Sequence, residues 1–376
     1  MVRSLGIEEE LLLVDPASRA AVPEAARVLK EFHDHGRGHH GSSPATEELD
    51  HELFRHQLET RTDPTRDAAD AFAQVVSARR TAGEAARAGG LVAVASGISA
   101  FGGDLTAVTD DDRYRDMVAT YGEIARTGGT CGMHVHVAIE SDAEGVAVID
   151  RIAPWLPVLL AISANSPFAE GRDTGYASWR SQVWSRWPSA GPTERFGSVE
   201  GYRDASRTLL DWGAARDPGM LYFDARLSES HPTVEVRVCD VCADPADAVL
   251  IAVLVRGLVE TAARGDDARF PHWRAEALRA AHWAASRWGL SGSLVDPTHG
   301  GLRPARDVLD ALLALVGPTL AEAGDEHRVV QGRERVLGAT GASRQRAAYE
   351  RAGDVGGVVD DLVERTEGSW AAQDLA

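Results

Sequence analysis

An α+β fold, with a largely antiparallel sheet and helices packed on one side of it, is what the sequence predicts. Three observations lead there. Apolar residues recur with period 2 over 4–14, 53–62, 91–96, 133–139, 220–227 and 233–241, the pattern of half-buried strands. These stretches fill the first two thirds without alternating strictly with helical ones, as an antiparallel α+β arrangement requires. No repeat of fixed period, long low-complexity linker or composition break divides the chain. Residues 1–376 therefore read as a single domain, although roughly 150 residues per domain would admit more.

The elements follow in order. Residues 4–14 alternate before running into Leu11-Leu12-Leu13-Val14, a strand that becomes buried on both faces. Lys30 sits on a helical stretch, and residues 32–41 follow with four of the 13 histidines (His33, His35, His39, His40) among glycines. That segment could bind metal, but a glycine-rich segment preorganises ligands poorly, so a solvated loop is expected. Residues 67–87 form a helix with Asp67 as N-cap and Gly89-Gly90 as its stop. Further helices are expected over 113–126, 145–162, 199–210, 245–263, 272–288, 304–316 and 356–366. From about residue 270 the chain is mainly helical and is expected to pack against the sheet.

Charge and composition remove several function classes. With 57 acidic against 39 basic residues the net charge of -18 opposes binding to nucleic acid or anionic lipid. Lys30 is the one lysine, between Leu29 and Glu31, so a Walker A loop is excluded and a catalytic lysine disfavoured. Phosphate would have to be met by arginine, backbone N–H or metal. No stretch reaches the ~18 to 20 uninterrupted apolar residues of a membrane helix, so no membrane span is expected. The start, Met1-Val2-Arg3-Ser4, leaves no room for a signal peptide before the chain turns acidic, which points to the cytoplasm. Three cysteines make no disulfide scaffold.

The chemistry sits on strands. Glu8 and Glu10 lie at i and i+2 around Glu9, His134 and His136 around Val135, and Glu235 and Arg237 around Val236, so each pair shares one face of the sheet. Glu59 and Arg61 repeat the spacing, with Glu52 at the start of their segment. A merely solvated face would mix Thr, Ser and Gln. Carboxylates about 4 Å apart repel by about 4 kcal/mol at an effective dielectric near 20, so several converging carboxylates call for cations. Oxygen ligands with an imidazole suit Mg²⁺ or Mn²⁺ shared with substrate phosphates. A zinc site from Cys239-Asp240-Val241-Cys242 with Cys131, His134 and His136 competes with this. A single C-x-x-C partly inside a strand run fits buried core cysteines better.

These residues also resemble a family. Leu5-Gly6-Ile7-Glu8-Glu9-Glu10, Gly132-Met133-His134-Val135-His136-Val137 and Ala164-Asn165-Ser166-Pro167-Phe168 look like signatures of the type 2 glutamate–cysteine ligases, a bacterial carboxylate-amine ligase group. So do Asp173-Thr174-Gly175-Tyr176-Ala177-Ser178-Trp179-Arg180 and residues 232–241, and the resemblance runs through Gln345-Arg346. It implies a glutamine synthetase-like catalytic domain with ATP bound across an acidic sheet. Carried over, Glu8, Glu10, Glu52, Glu59, His134 and Glu235 match metal-binding positions, and Arg237 an arginine on the transferred phosphate. Catalysis is thereby assigned to Arg237 and Glu235. Asn165, Arg172, Tyr176 and Arg180 lie in motifs near the substrates, and Arg61 joins them as a substrate or ATP residue. The chain departs from the family at Gly97-Ile98-Ser99-Ala100-Phe101, where Gly-Thr-His-Pro-Phe is usual, and this puts the amine acceptor in doubt.

The implied reaction activates a carboxylate, expected to be the γ-carboxylate of glutamate, as an acyl phosphate that an amine then attacks. Positioning and charge neutralisation are the protein's part. The partners expected are ATP, glutamate and an amine, with Mg²⁺ or Mn²⁺, and a homodimer is the expected assembly. Guanidine phosphotransfer on a related fold and a non-catalytic ATP- or metal-binding protein are the alternatives.

Overall fold

The computed structural model describes residues 2–34, 45, 48–103, 106–265 and 269–371. Of the histidine-rich stretch, residues 35–41 lie outside the described residues. The described residues form eleven strands: β1 (Leu5–Val14), β2 (Asp50–His51), β3 (Gln57–Arg61), β4 (Val92–Val94), β5 (Gly132–Ala138), β6 (Phe168–Ala169), β7 (Arg172–Asp173), β8 (Ala225–Leu227), β9 (Thr233–Asp240), β10 (Ser293–Val295) and β11 (Leu302–Pro304). Seven make one antiparallel sheet in the order β2-β3-β1-β5-β9-β8, with β4 paired to the far end of β1. The α+β prediction and its antiparallel sheet are realised.

Strand parity sorts the side chains. Leu5, Ile7, Met133, Val135, Val137, Val234 and Val236 belong to a core under one face of the sheet, shared with the helices Asp142–Ile152, Leu156–Ser163 and Pro245–Ala263. A second core joins Leu11, Leu13, Leu58 and β4 to the helices Ala25–Asp34, Ala68–Ala88 and Val355–Ala371. Glu9 points into the helix side too. Its carboxylate takes two bonds from the fully buried Arg79 guanidinium, at 2.8 and 2.6 Å, and Arg79 also donates to the Cys242 and Ala243 carbonyls. A charge this deep is tolerable because nearly all of Arg79's donors are satisfied.

Several boundaries shift for local reasons. The helix expected over 145–162 is interrupted by a 3₁₀ turn, Ala153–Trp155, because Pro154 cannot supply the interior N–H. The stretch Asp142–Ser163 is long and apolar enough by composition to span a bilayer, but 78% of its apolar window is buried in the protein, as suits a core helix. The helix over 113–126 breaks at Gly122, which takes φ +57°. The strand expected over 220–227 shortens to β8, because Asp217 caps a 3₁₀ turn at Pro218–Met220 through the Met220 N–H. The helix expected to end at 316 runs through Pro318 to Ala323. Asp67 caps the helix Ala68–Ala88 as expected, accepting from the Ala69 and Asp70 N–H groups. The helices Glu326–Gly338 and Gly341–Ala352 were not anticipated.

Candidate active site

The face of the sheet turned away from the helices lines a cavity of about 370 Å³. Its floor is built by pairing. Glu8 lies opposite His134 on β5 and Arg61 on β3, while Glu10 lies opposite Glu59, and Glu59 opposite Asp50. His136 faces Glu235, and Glu235 faces Arg226 on β8. A β-bulge between β5 and β9 sets Arg237 and Val238 against the single residue His134. Past the bulge Cys239 pairs with Met133 and turns into the helix-side core, whereas simple alternation from Arg237 would aim it at the cavity.

One group of ligand atoms results, with a cluster of carboxylates beside it. Glu8, His136 and Glu235 each bring one oxygen or nitrogen within 4.8 Å of the others. His136 Nε2 is 3.5 Å from Glu8 Oε1, buried and without a hydrogen bond, and Nδ1 is 3.0 Å from Thr233 Oγ1. If Nδ1–H is donated to that hydroxyl, Nε2 presents a lone pair to the cluster, the arrangement that orients a metal-bound imidazole. His134 Nδ1 lies 3.3 Å from Glu8 and 3.8 Å from Glu235. Burial, with the Arg237 charge, holds its ring down to about 4, so it is neutral at pH 7 and able to act as a ligand.

Glu10, Glu52 and Glu59 form the carboxylate cluster, Glu10 opposite Glu59 and Glu59 hydrogen-bonded with Glu52. Burial and then the Glu52 charge push Glu10 up to about 7, against the opposing charges of Arg180 and Arg237. Burial, a hydrogen bond with Glu52 and the other carboxylates push Glu59 well above the usual range. Glu8 and Glu235 behave oppositely. Burial would raise them, but the His134 hydrogen bond and the neighbouring His136 ring outweigh it at Glu8, and the Arg237 and Arg226 charges outweigh it at Glu235. Arg226 Nε binds Glu235 at 2.7 Å and Arg237 binds the same carboxylate. The residues fit a divalent cation: carboxylates that repel, a buried imidazole nitrogen with no partner, and hard oxygen donors.

The structure brings Glu8, Glu10, Glu52, Glu59, His134, Glu235, Arg237 and Arg61 together around this one cavity. Arg61 is tied to Glu48 and Asp50 at its rim. The other four expected substrate residues stand outside this cavity. Asn165 is fully buried, donating to the Ala95 and Val241 carbonyls and accepting from Gln345. Its neighbours complete the network: Asn165 N–H and the Ser166 and Ser178 hydroxyls all donate to the buried Asp240 carboxylate. Arg172 is exposed beside Glu170 on a different cavity. Tyr176 accepts from Trp283 Nε1 beneath Arg287. Arg180 lies under β9, donating to the Val238 and Arg237 carbonyls; a Cβ on Gly132 would meet its Nη2 at 2.3 Å, which explains a glycine at the head of β5.

Residues unnoticed in the sequence complete the walls. Arg113, Tyr114, Trp184, Trp187, Tyr222 and Arg226 line the cavity. Arg226 was legible, since it alternates with Ala225 and Leu227; the aromatic residues come from loops and short helices that carry no period. The cysteines are buried, and burial raises all three thiols. Among the described residues no cysteine joins a group with metal-ligand spacing, so the core reading holds over the zinc one.

Comparison with known proteins agrees with this geometry. A family model described as glutamate-cysteine ligase family 2 matches residues 4–365. A curated protein of Nocardioides sp. (strain ATCC BAA-499 / JS614), provisionally named glutamate–cysteine ligase 2-1, is 68% identical over all of this chain and 98% of its own length. Among solved structures, a bifunctional glutathione synthetase from Pasteurella multocida superposes with TM-score 0.68 at 16% identity, covering 99% of this chain. The chain spans about half of that protein, 52% of its length. A glutamate–cysteine ligase from Francisella tularensis in complex with AMP superposes with TM-score 0.64 at 12% identity, over 100% of this chain and 94% of its own. At such identities these two speak for the fold.

Proposed function

From the premise that the chain belongs to glutamate-cysteine ligase family 2, whose members are ATP-dependent ligases forming C–N bonds, we propose that it phosphorylates the γ-carboxylate of glutamate and joins it to an amine. The observation that carries this is the convergence of seven carboxylate and imidazole side chains with Arg237 around one cavity. A carboxylate resists an amine because oxide is a poor leaving group. Converting it to an acyl phosphate removes that obstacle, and the remaining task is to hold and neutralise phosphate.

Each residue then has a part. Glu8, His136 and Glu235, with His134 beside them, would hold one Mg²⁺ or Mn²⁺, and Glu10, Glu52 and Glu59 a second. A bound cation would neutralise phosphate charge there. Arg237, fixed by Glu235 and stacked 5.8 Å from the Tyr222 ring, is poised to meet a migrating phosphoryl group. With a single lysine in the chain, arginine carries the role that lysine takes in P-loop enzymes. The test is product analysis by mass spectrometry after incubation with ATP, Mg²⁺, glutamate and a pool of amines. ADP with a γ-glutamyl amide supports the proposal. ADP without an amide, and with hydroxylamine giving no hydroxamate from any carboxylate, refutes it and favours phosphotransfer.

A further inference from the structure

A second cavity, of about 200 Å³, backs onto the first, and Trp184, Tyr222 and Arg237 line both. Arg237 is thus a shared wall, with the carboxylate clusters on one side. The second cavity holds its own chemistry. His282, on the helix Ala275–Trp288, places Nε2 3.0 Å from Asp224 Oδ2. The two atoms are buried and ion-paired without a hydrogen bond, and the ring's Nδ1 makes none among the described residues. The Nε atoms of Arg180 and Arg237, both more than nine-tenths buried, are likewise unpartnered. Arg279 stands at the same cavity. Two buried guanidinium nitrogens without a hydrogen bond, beside an ion pair that makes none, are expensive to maintain without a ligand.

We propose that this second cavity is the acceptor site, taking a small amine that carries an anionic group, an amino acid, with His282 as the base that receives its ammonium proton. The inference rests on the ligase reading above. The guanidinium groups of Arg180 and Arg279 suit the anionic group, and Asp224 suits the ammonium and the imidazolium that forms. The two cavities share Arg237, so an acyl phosphate held against that guanidinium would lie next to this second one. The step balances. The ammonium gives one proton to His282, and the freed nitrogen lone pair forms the C–N bond at the carbonyl carbon. The tetrahedral intermediate then breaks its C–O bond to phosphorus; inorganic phosphate leaves with the electron pair, and the nitrogen gives up a second proton to it.

The test compares nucleophiles. Hydroxylamine is unprotonated at neutral pH and needs no base before it attacks, whereas an amino acid does. Wild-type protein, His282→Gln and Asp224→Asn are assayed with ATP, Mg²⁺ and glutamate against the common α-amino acids, their decarboxylated amines and hydroxylamine. Losing a positioned base should lower amide turnover in His282→Gln at least about 100-fold and raise the hydroxamate-to-amide ratio at least ~10-fold, with a smaller change of the same sign in Asp224→Asn. Should His282→Gln prove unfolded by thermal melting, the isosteric Asp224→Asn carries the test. Parallel loss of both products, or loss of neither, overturns the base assignment. Decarboxylated amines performing as well as amino acids overturn the acceptor class. Hydroxamate failing to form with wild-type protein and any carboxylate refutes the ligase reading itself, and this inference with it.

Discussion

Glu10→Gln should change the sign of its effect on stability according to whether divalent cation is present. In the folded protein the Glu10 carboxyl titrates near about 7, against 4.5 for the ordinary group. Between those values the folded chain binds more protons than the unfolded chain. The contribution of Glu10 to stability is therefore full below pH 4.5 and is lost as pH rises through about 7. At about 1.4 kcal/mol per tenfold change, the loss is about 3 kcal/mol. Glu59, also raised, acts in the same direction. His134, held at about 4 against 6.5, acts oppositely: its contribution is lost as pH falls from 6.5 toward 4. The two trends overlap, so the difference between wild type and variant isolates Glu10. Glutamine keeps the shape, can still accept from the Gly132 N–H that now meets Glu10 Oε2 at 2.6 Å, and cannot ionise. In EDTA at about pH 8 the variant should be more stable by about 3 kcal/mol, or roughly 4 °C at ~2 cal/mol/K per residue. Near about pH 5 the gap should close. Excess Mn²⁺ should then raise the melting temperature of wild type above that of the variant. Thermal melts followed by circular dichroism across this range provide the assay, and a variant no more stable than wild type in EDTA at pH 8 would refute the reasoning.

Arg237→Lys should lower kcat at least ~100-fold, since an ammonium cannot hold two phosphate oxygens as a guanidinium does; a change in KM alone would mean ground-state binding only. Arg79→Met should lower stability in urea titrations by roughly 3 to 5 kcal/mol, because it strands the Glu9 carboxylate in the core; a loss below ~1 kcal/mol would deny the pair its structural role. Cys239→Ala combined with Cys242→Ser should retain most activity, and the purified protein should hold no stoichiometric zinc; one zinc per chain, absent from the double variant, would reverse that.

Strand periodicity made half of the site legible. An i, i+2 pair must share a sheet face whatever its neighbours are, so Glu8 with Glu10 and Glu235 with Arg237 converge once the strands pair. The same rule separates Glu9, whose partner Arg79 sits 70 residues on in a helix and could not be guessed. Register was not legible. The bulge opposite His134 is one extra residue, and it alone sends Cys239 into the core. Nor was the balance of charge: repulsion was expected throughout the cluster, yet Glu8 and Glu235 are answered by His134, His136, Arg226 and Arg237. The strain gathers at Glu10 and Glu59 instead. The helix Gly341–Ala352 escaped for a related reason. It buries Gly341, Ala342, Gln345 and Ala348, small or polar residues that leave no apolar stripe in the sequence.

Loop motifs and strand motifs lead to different places in the fold, and the difference is physical. A loop residue has no periodicity to state which way it points, so Asn165, Arg172 and Tyr176 were grouped with substrate only because their motifs resemble a family. Asn165 and Ser166 instead close a buried polar network with Asp240, Ser178 and Gln345. Such a network is costly wherever a member loses its partner, which constrains residue identity at these positions. Gly97 and Gly341 are constrained with it: a Cβ would come within 2.9 Å of the Asp240 carboxylate in one case and 2.3 Å of Asn165 Oδ1 in the other. The network ties the end of β9 to the loop after β4 and to the helix Gly341–Ala352, and Arg180, whose N–H donates to Ser166 Oγ, leaves it to pass beneath Arg237. Part of the motif signal therefore measures how the floor of the site is held in place, while the residues on the cavity side of the sheet form its surface.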